Sequence, residues 1–417
     1  MISLAEQNDN SWLYQPSFEI EKKSVGENSN KKNLKRIFSK LNPFDAKAIS
    51  KLPHDLEKLV IKRSAWKLDN DDIENFTSRI KRLKSLHIEG TEIDLPAKSL
   101  YPILKANQQI TKLLANDSNI DGYSLKIIPH KMIETISLSY CELLNSSELI
   151  DFLKNNPQLK NLQLSHTLIT KEVAIAIAKY CSQLEVLELS NSAEIEEGDF
   201  IKLAHQCSQL KEIHVSSATA FSDRVLIEFL QSCPGLNKID ARYTEISDLA
   251  LKEISGLKRP IKMLCINGCE KISCDGVEEV LKASHETLEI LRFHSQKINE
   301  RIITLLEIYR PPLIEFNLTS MHYHFEGMLI PGSPKAAVLL NIIEILSKPI
   351  SRIKDMTISN FAEINYDTLL ELKKICQTVE RIQLSSEQLM KMAGSNKNIS
   401  TFCEKFEKEF KIKLNYY

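Results

Sequence analysis

Ionisable residues follow three cysteines at matched steps. Glu188 comes after Cys181, Glu212 and His214 after Cys207, and Lys238, Asp240 and Arg242 after Cys233, with the cysteines 26 residues apart. Side chains two positions apart share one face of a strand, so these groups would stack in columns if each block supplied one strand. Arg292 and His294 repeat the two-residue step further along. Interleaved acids and bases of this kind suit charge-complementary recognition of another molecule. They do not suit bond making. His87, His214 and His294 fall in separate blocks, Cys265 has no base beside it, and no phosphate-binding glycine loop or zinc signature occurs. His322 and His324 are spaced for one strand face, but two ligands fall short of a zinc set. No catalytic residue, cofactor or metal is expected.

The element that must position these groups is a repeat. Blocks starting CSQLEVLELS at Cys181, CSQLKEIHVS at Cys207 and CPGLNKIDAR at Cys233 superimpose. Apolar residues at first, fourth and sixth positions recur thirteen times, from Leu56/Leu59/Ile61 to Val379/Ile382/Leu384, at spacings of 23 to 27 except for one gap of 40 between Phe316 and Met356. The second half of a unit carries an apolar residue, a capping residue, and apolar residues on one helical face, as in Phe221/Leu226/Phe229 and Ile246/Leu251/Ile254. Thr170, Ser222, Ser247, Ser273, Asn299 and Asn365 stand where a cap side chain should accept from an open amide, and Glu196 departs from the pattern. Neither strand nor helix can bury its apolar face alone, so the units must stack on one another.

The run Cys, two residues, Leu, two residues, Leu, one residue, Leu, with a helix start such as ISDLAL from Ile246 or ISCDGV from Ile272, resembles the cysteine-containing leucine-rich repeat. That subtype is typical of F-box/leucine-rich-repeat and antagonist-of-mitotic-exit-network proteins. The resemblance implies an α/β fold, a right-handed solenoid or horseshoe of thirteen repeats with a parallel concave sheet and convex helices. It spans residues 53–390, with an insertion at 321–334. Residues 1–33 read as a flexible polar tail, 34–52 as a helical N-terminal cap or a degenerate F-box-like segment, and 391–417 as a C-terminal cap whose KIKLNYY is a final strand or tail. IFSKLNPFDAKAI resembles the middle of an F-box, although the pair Leu52-Pro53 follows it where an F-box would have such a pair ahead. On that resemblance Ile37, Phe38, Leu41 and Pro43 would dock a ubiquitin-ligase core. The chain after the last repeat is too short for the catalytic domain of the leucine-rich-repeat ubiquitin ligases of bacterial pathogens.

Composition narrows the partner. With 54 basic and 55 acidic residues the net charge is −1, which gives no field for nucleic acid. The cysteines fit small buried slots of free thiols, suited to a reducing, cytoplasmic setting. AAVLLNIIEIL from Ala336 is too short and too interrupted to insert in a membrane. The Lys-, Ile- and Asn-rich composition and polar tail are similar to effectors that intracellular bacterial pathogens secrete into host cytoplasm without a classical signal peptide.

On the concave face, Ser137, Ser139, Ser165, Ser190 and Ser216 are expected to form a low hydroxyl strip, and the mixed-charge stretch a partner-binding patch. Ion pairing between neighbouring strands is the competing reading of that patch. The inserted loop adds Tyr323, Phe325 and Met328 as anchors beside His322. Two functions follow: a non-enzymatic scaffold binding a protein partner, or the substrate-recognition subunit of an SCF-type ubiquitin ligase. As a surface residue, Arg242 should tolerate charge reversal with nearly unchanged melting. The oligomeric state is left open.

Overall fold

Among the described residues, fourteen strands run parallel in chain order in a single sheet. The computed structural model describes residues 46–319 except positions 51, 53, 63–68, 90–99, 119, 168 and 295–299, and beyond them 355–359, 366–375, 380–384, 389, 392, 403–404, 406–408 and 413–416. The first seven strands are β1 (Lys58–Lys62), β2 (Ser85–Glu89), β3 (Lys112–Asn116), β4 (Thr135–Ser137), β5 (Asn161–Gln163), β6 (Val186–Glu188) and β7 (Glu212–His214). The rest are β8 (Lys238–Asp240), β9 (Met263–Cys265), β10 (Ile290–His294), β11 (Glu315–Thr319), β12 (Asp355–Ser359), β13 (Arg381–Leu384) and β14 (Lys413–Tyr416).

The register is the one the repeat predicts. Leu162 pairs with Leu187, Leu187 with Ile213, Ile213 with Ile239 and Ile239 with Leu264, so the fourth apolar position forms one unbroken row. Across the gap of 40, Phe316 pairs with Met356. KIKLNYY contributes a strand, β14, beside β13.

Each middle strand ends in a left-handed residue that the apolar pattern does not reveal. Asp117, Tyr140, His166, Asn191, Ser217 and Tyr243 have φ between 52° and 61°, and Gly268 takes the same place at 74°. Their amides still bond the next repeat: Asp117 N donates to Ser139 O, Asn191 N to Ser216 O and Tyr243 N to Asn267 O, each at 2.8 Å. The ladder therefore continues past the strand while the chain turns toward its helix. The following residue is small and buried. Thr244 Oγ1 donates to Ala241 O at 2.7 Å, and the Cys141 and Cys269 thiols lie 3.0 Å from the carbonyls of Ala115 and Ala241 in the preceding repeat.

The regular cysteines close the helices. Cys181, Cys207 and Cys233 are fully buried C-cap residues whose amides bond back to Ile177, Leu203 and Phe229. The Cys207 thiol reaches Cys181 O at 3.6 Å and the Cys233 thiol reaches Cys207 O at 3.5 Å. Burial pushes all three thiols up to about 12, which keeps them from acting as thiolates at neutral pH. Between sheet and helices, Phe221 packs edge-on to Phe200 and face-on to Phe229, with ring centroids 5.4 and 5.9 Å apart.

The helix starts correct the expected capping. Ser247 and Ser273 do accept from Leu249 N and Asp275 N. Thr170 and Ser222 hold the N-cap position with no cap bond to their own helices, and Asn299 and Asn365 lie outside the described residues. The aspartate after the serine does a different job. Asp223 takes the amide and hydroxyl of Ser247, both at 2.6 Å, and Asp248 takes those of Ser273 at 2.7 and 2.6 Å. The Ile-Ser-Asp start is thus a clamp between adjacent repeats. It needs room at Gly276, where a methyl group would stand 2.2 Å from Asp248 Oδ1.

Two stability changes should follow. Leu187→Ala or Ile213→Ala removes a fully buried residue of the central row and is expected to cost about 2–5 kcal/mol in urea unfolding. Gly268→Ala forces a methyl group to within 2.3 Å of the Tyr243 ring at φ 74°, so the melting temperature should fall, by the equivalent of more than about 1 kcal/mol.

Candidate functional site

On the sheet face away from the helices, β6, β7 and β8 bring Glu188, His214 and Asp240 into one row, with Glu212 and Lys238 in the next. Five of the eight groups read as a patch, Glu212, His214, Lys238, Asp240 and Arg242, bond to one another, which is the ion pairing that stood as the competing reading. Glu212 accepts from His214 Nε2 through Oε1 at 2.7 Å and from Lys238 Nζ through Oε2 at 3.0 Å. Asp240 is gripped by Arg242, whose Nε donates to Oδ1 at 2.7 Å and Nη2 to Oδ2 at 2.5 Å. His214 Nδ1 faces Asp240 Oδ2 at 3.6 Å. Glu188 is buried and takes the Ser165 hydroxyl at 2.7 Å.

Depth sorts these charges. The Asp240 side chain is 4% exposed and Arg242 13%, whereas His214 is 21% and Lys238 33% exposed. Asp240 lies deepest and Lys238 outermost, with the Glu212 side chain at 17% between Arg242 and His214.

The ionisation states follow from that packing. Burial opposes charge on His214, but hydrogen bonds to Asp240 and Glu212 and the nearby Glu188 overcome it and lift the imidazole to about 10. Burial likewise opposes charge on Glu212, yet His214 and Lys238 bring its carboxyl down to about 2. Asp240 is held far below the carboxylate range because Arg242 and His214 outweigh its desolvation. Glu188 goes the other way: burial dominates and raises it, against the pull of His214 and Ser165.

The serines are not a solvated strip. Ser137, Ser139, Ser165, Ser190 and Ser216 are all buried. Ser137 Oγ donates to Asn116 Oδ1 at 2.5 Å, the same oxygen takes Ser139 N at 3.1 Å, and Ser216 N donates to Ser190 Oγ at 3.2 Å. A hydroxyl barely rises above strands about 4.8 Å apart, so bonds to neighbouring repeats close over it. Arg242 also departs from expectation. Its guanidinium belongs to a largely buried ion pair, so reversing its charge would not leave melting unchanged.

The remaining predicted residues are placed only in part. Arg292 sits on β10 beside Cys265 and is half-buried, and His294 ends that strand. His322, Tyr323, Phe325, Met328, Ile37, Phe38, Leu41 and Pro43 lie outside the described residues. The structure adds rim residues that no strand column contained. At the left-handed turns, Tyr140 stacks on His166 with centroids 4.2 Å apart, Asn191 Nδ2 lies 2.6 Å from His166 Nε2, and Tyr243 is exposed beside Arg242. Among the described residues no helix is long and apolar enough to cross a membrane.

These features define a leucine-rich-repeat solenoid. A chain of the yeast Rad7–Elc1 complex superposes with a TM-score of 0.58 at 16% identity, covering 87% of this chain and 84% of that one. An internalin, inlF, of Listeria monocytogenes aligns at 15% identity over 82% and 83% of the two chains, with a TM-score of 0.40 too low to bear on the fold. No family model matches the chain, and no curated protein does.

The network makes stability depend on pH at both ends. Glu212 contributes above its ordinary 4.5, and that contribution is lost as pH falls toward about 2. His214 contributes fully below its ordinary 6.5 and loses the contribution as pH rises toward about 10. Urea midpoints against pH should therefore fall less on the alkaline side in His214→Gln than in the native chain, and less on the acid side in Glu212→Gln. Parallel profiles would contradict the assignment. Arg242→Glu, which removes the two-pronged partner of buried Asp240 and sets a second acid beside it, should cost about 3–5 kcal/mol.

Proposed function

We propose that the chain is a non-enzymatic scaffold that holds a protein partner against the concave face between β6 and β10, with the 321–334 insertion as a second contact. The observation that carries this reading is the charge network on β6–β8. Its side chains are held by one another's bonds in the free protein, so docking on them costs little further rotamer entropy. The rim supplies what the strand columns lack: Tyr243 is an exposed aromatic next to Arg242, of the kind that anchors interfaces. The whole concave face, fourteen strands spaced about 4.8 Å apart and about 13 Å deep, offers on the order of 800 Å², one side of a standard protein interface. The superposed yeast chain comes from a complex of two proteins, Rad7 and Elc1, which fits such a role.

The partner on this reading belongs to a eukaryotic host cell, as expected of a secreted effector with this composition. The alternative of an SCF-type adaptor rests on Ile37, Phe38, Leu41 and Pro43.

Affinity capture from eukaryotic lysate separates the two, using the full chain, a version lacking residues 1–50, and a version with loop 321–334 shortened. A protein retained after the truncation and lost with Lys238→Glu or the shortened loop is the expected result. Capture of ligase-core proteins that vanishes with residues 1–50 would move the function to an adaptor.

A further inference from the structure

The β6–β8 network keeps N–H groups to spare. Glu212 and Asp240 have both carboxylate oxygens engaged, and Glu188 is buried under the Ser165 contact. His214 spends one ring nitrogen on Glu212 and turns the other to Asp240. Lys238 spends one of its three N–H bonds on Glu212, and the Arg242 fork meets Asp240 through Nε and Nη2 alone, which leaves Nη1 without an acceptor among the described residues. A surface on which every Glu212 and Asp240 oxygen already has a donor, while Lys238 and Arg242 keep N–H groups to spare, can receive further acceptors.

We propose that this stretch of the concave face is a receptor for carboxylates, and that its occupant is an acidic, extended segment of a protein partner. The inference rests on the scaffold reading and names the chemistry of what the scaffold holds. Lys238 and Arg242 lie four residues apart along one nearly straight run, about 13 Å at 3.3 Å per residue. An extended peptide places acidic side chains four positions apart at the same separation. One carboxylate would meet Lys238 Nζ. The other would meet the outer edge of Arg242, in charge-assisted bonds, with the exposed Tyr243 ring alongside for the peptide's apolar atoms. Glu212 and Asp240 serve to hold the cations in place. Because they neutralise the cluster, the site rewards two discrete carboxylates over a continuous polyanion such as a nucleic-acid strand, whose affinity grows with the number of cations it meets.

The test is direct binding to the full chain at low salt, read by fluorescence polarisation. The probe is a fluorescein-labelled eight-residue glycine–serine peptide with two glutamates four positions apart, compared with the same peptide bearing glutamines or lysines there. The glutamate peptide should bind about tenfold or more tightly than the glutamine peptide. Lys238→Glu should abolish that preference, while reversal of the exposed Lys154 on the helical side should leave it intact. If Lys238→Glu fails to give a native circular-dichroism melt, Lys238→Gln carries the same expectation.

Equal binding of the glutamate and glutamine peptides, or an unchanged preference in the Lys238 variants, would overturn the inference. So would tighter binding of a single-stranded oligonucleotide of equal length. The scaffold reading is scored apart from this. A lysate protein whose capture needs the concave face but shows no charge preference would keep the scaffold and sink the carboxylate receptor.

Discussion

Everything in this protein depends on the stacking register of its repeats. A three-residue strand and a ten-residue helix cannot bury their apolar faces alone, and the residues that make each unit are useful only when the next unit sits in step. The register is enforced at four levels. Apolar rows such as Leu187–Ile213–Ile239 fill the core. The amides of left-handed residues such as Asn191 and Tyr243 prolong the strand ladder. Buried thiols at Cys207 and Cys233 meet the carbonyl of the repeat before. Asp223 and Asp248 clamp the start of the helix that follows. A slip of one residue in any strand would turn its core row outward and break the other three contacts.

That same register creates the site. Glu212, His214, Lys238, Asp240 and Arg242 are scattered over thirty residues of chain, and parallel pairing in step places them within bonding distance. Once there, the low exposure of Asp240 and Glu188 makes unpaired charge expensive, so each ionised group is matched or, in the case of Glu188, shifted toward neutrality. His214 and Lys238 gain fixed positions from this arrangement and remain the most accessible members of the set.

Much of the fold was legible because a period near 26 residues is a strong constraint, and the apolar rows stay in step across the described strands even over the gap of 40. KIKLNYY was the weak point at the C-terminus, since a single Leu414 carries too little pattern to separate a strand from a tail. The left-handed column was invisible for a clear reason. Asp117, Tyr140, His166, Asn191, Ser217, Tyr243 and Gly268 share a backbone conformation but not a residue type, so only Gly268 and, more weakly, Asp117, His166 and Asn191 carry a signal for it. Alternation placed the charged residues on the right face but could not say how deep they sit. Treating Arg242 and the serines as solvent-facing failed because depth is set by side-chain contacts that alternation does not encode, such as Arg242 with Asp240 in its own repeat and Ser165 with Glu188 in the next.

The central claim is that the β6–β8 network is fully formed in the free protein, with His214 held as a cation by the acids around it. An NMR titration of the His214 imidazole in the isolated chain tests this most directly. The network predicts a ring that stays protonated through neutrality and into the alkaline range, with its midpoint near about 10. A midpoint at the ordinary 6.5 would show that His214 is free of Glu212 and Asp240 and that no preformed site exists.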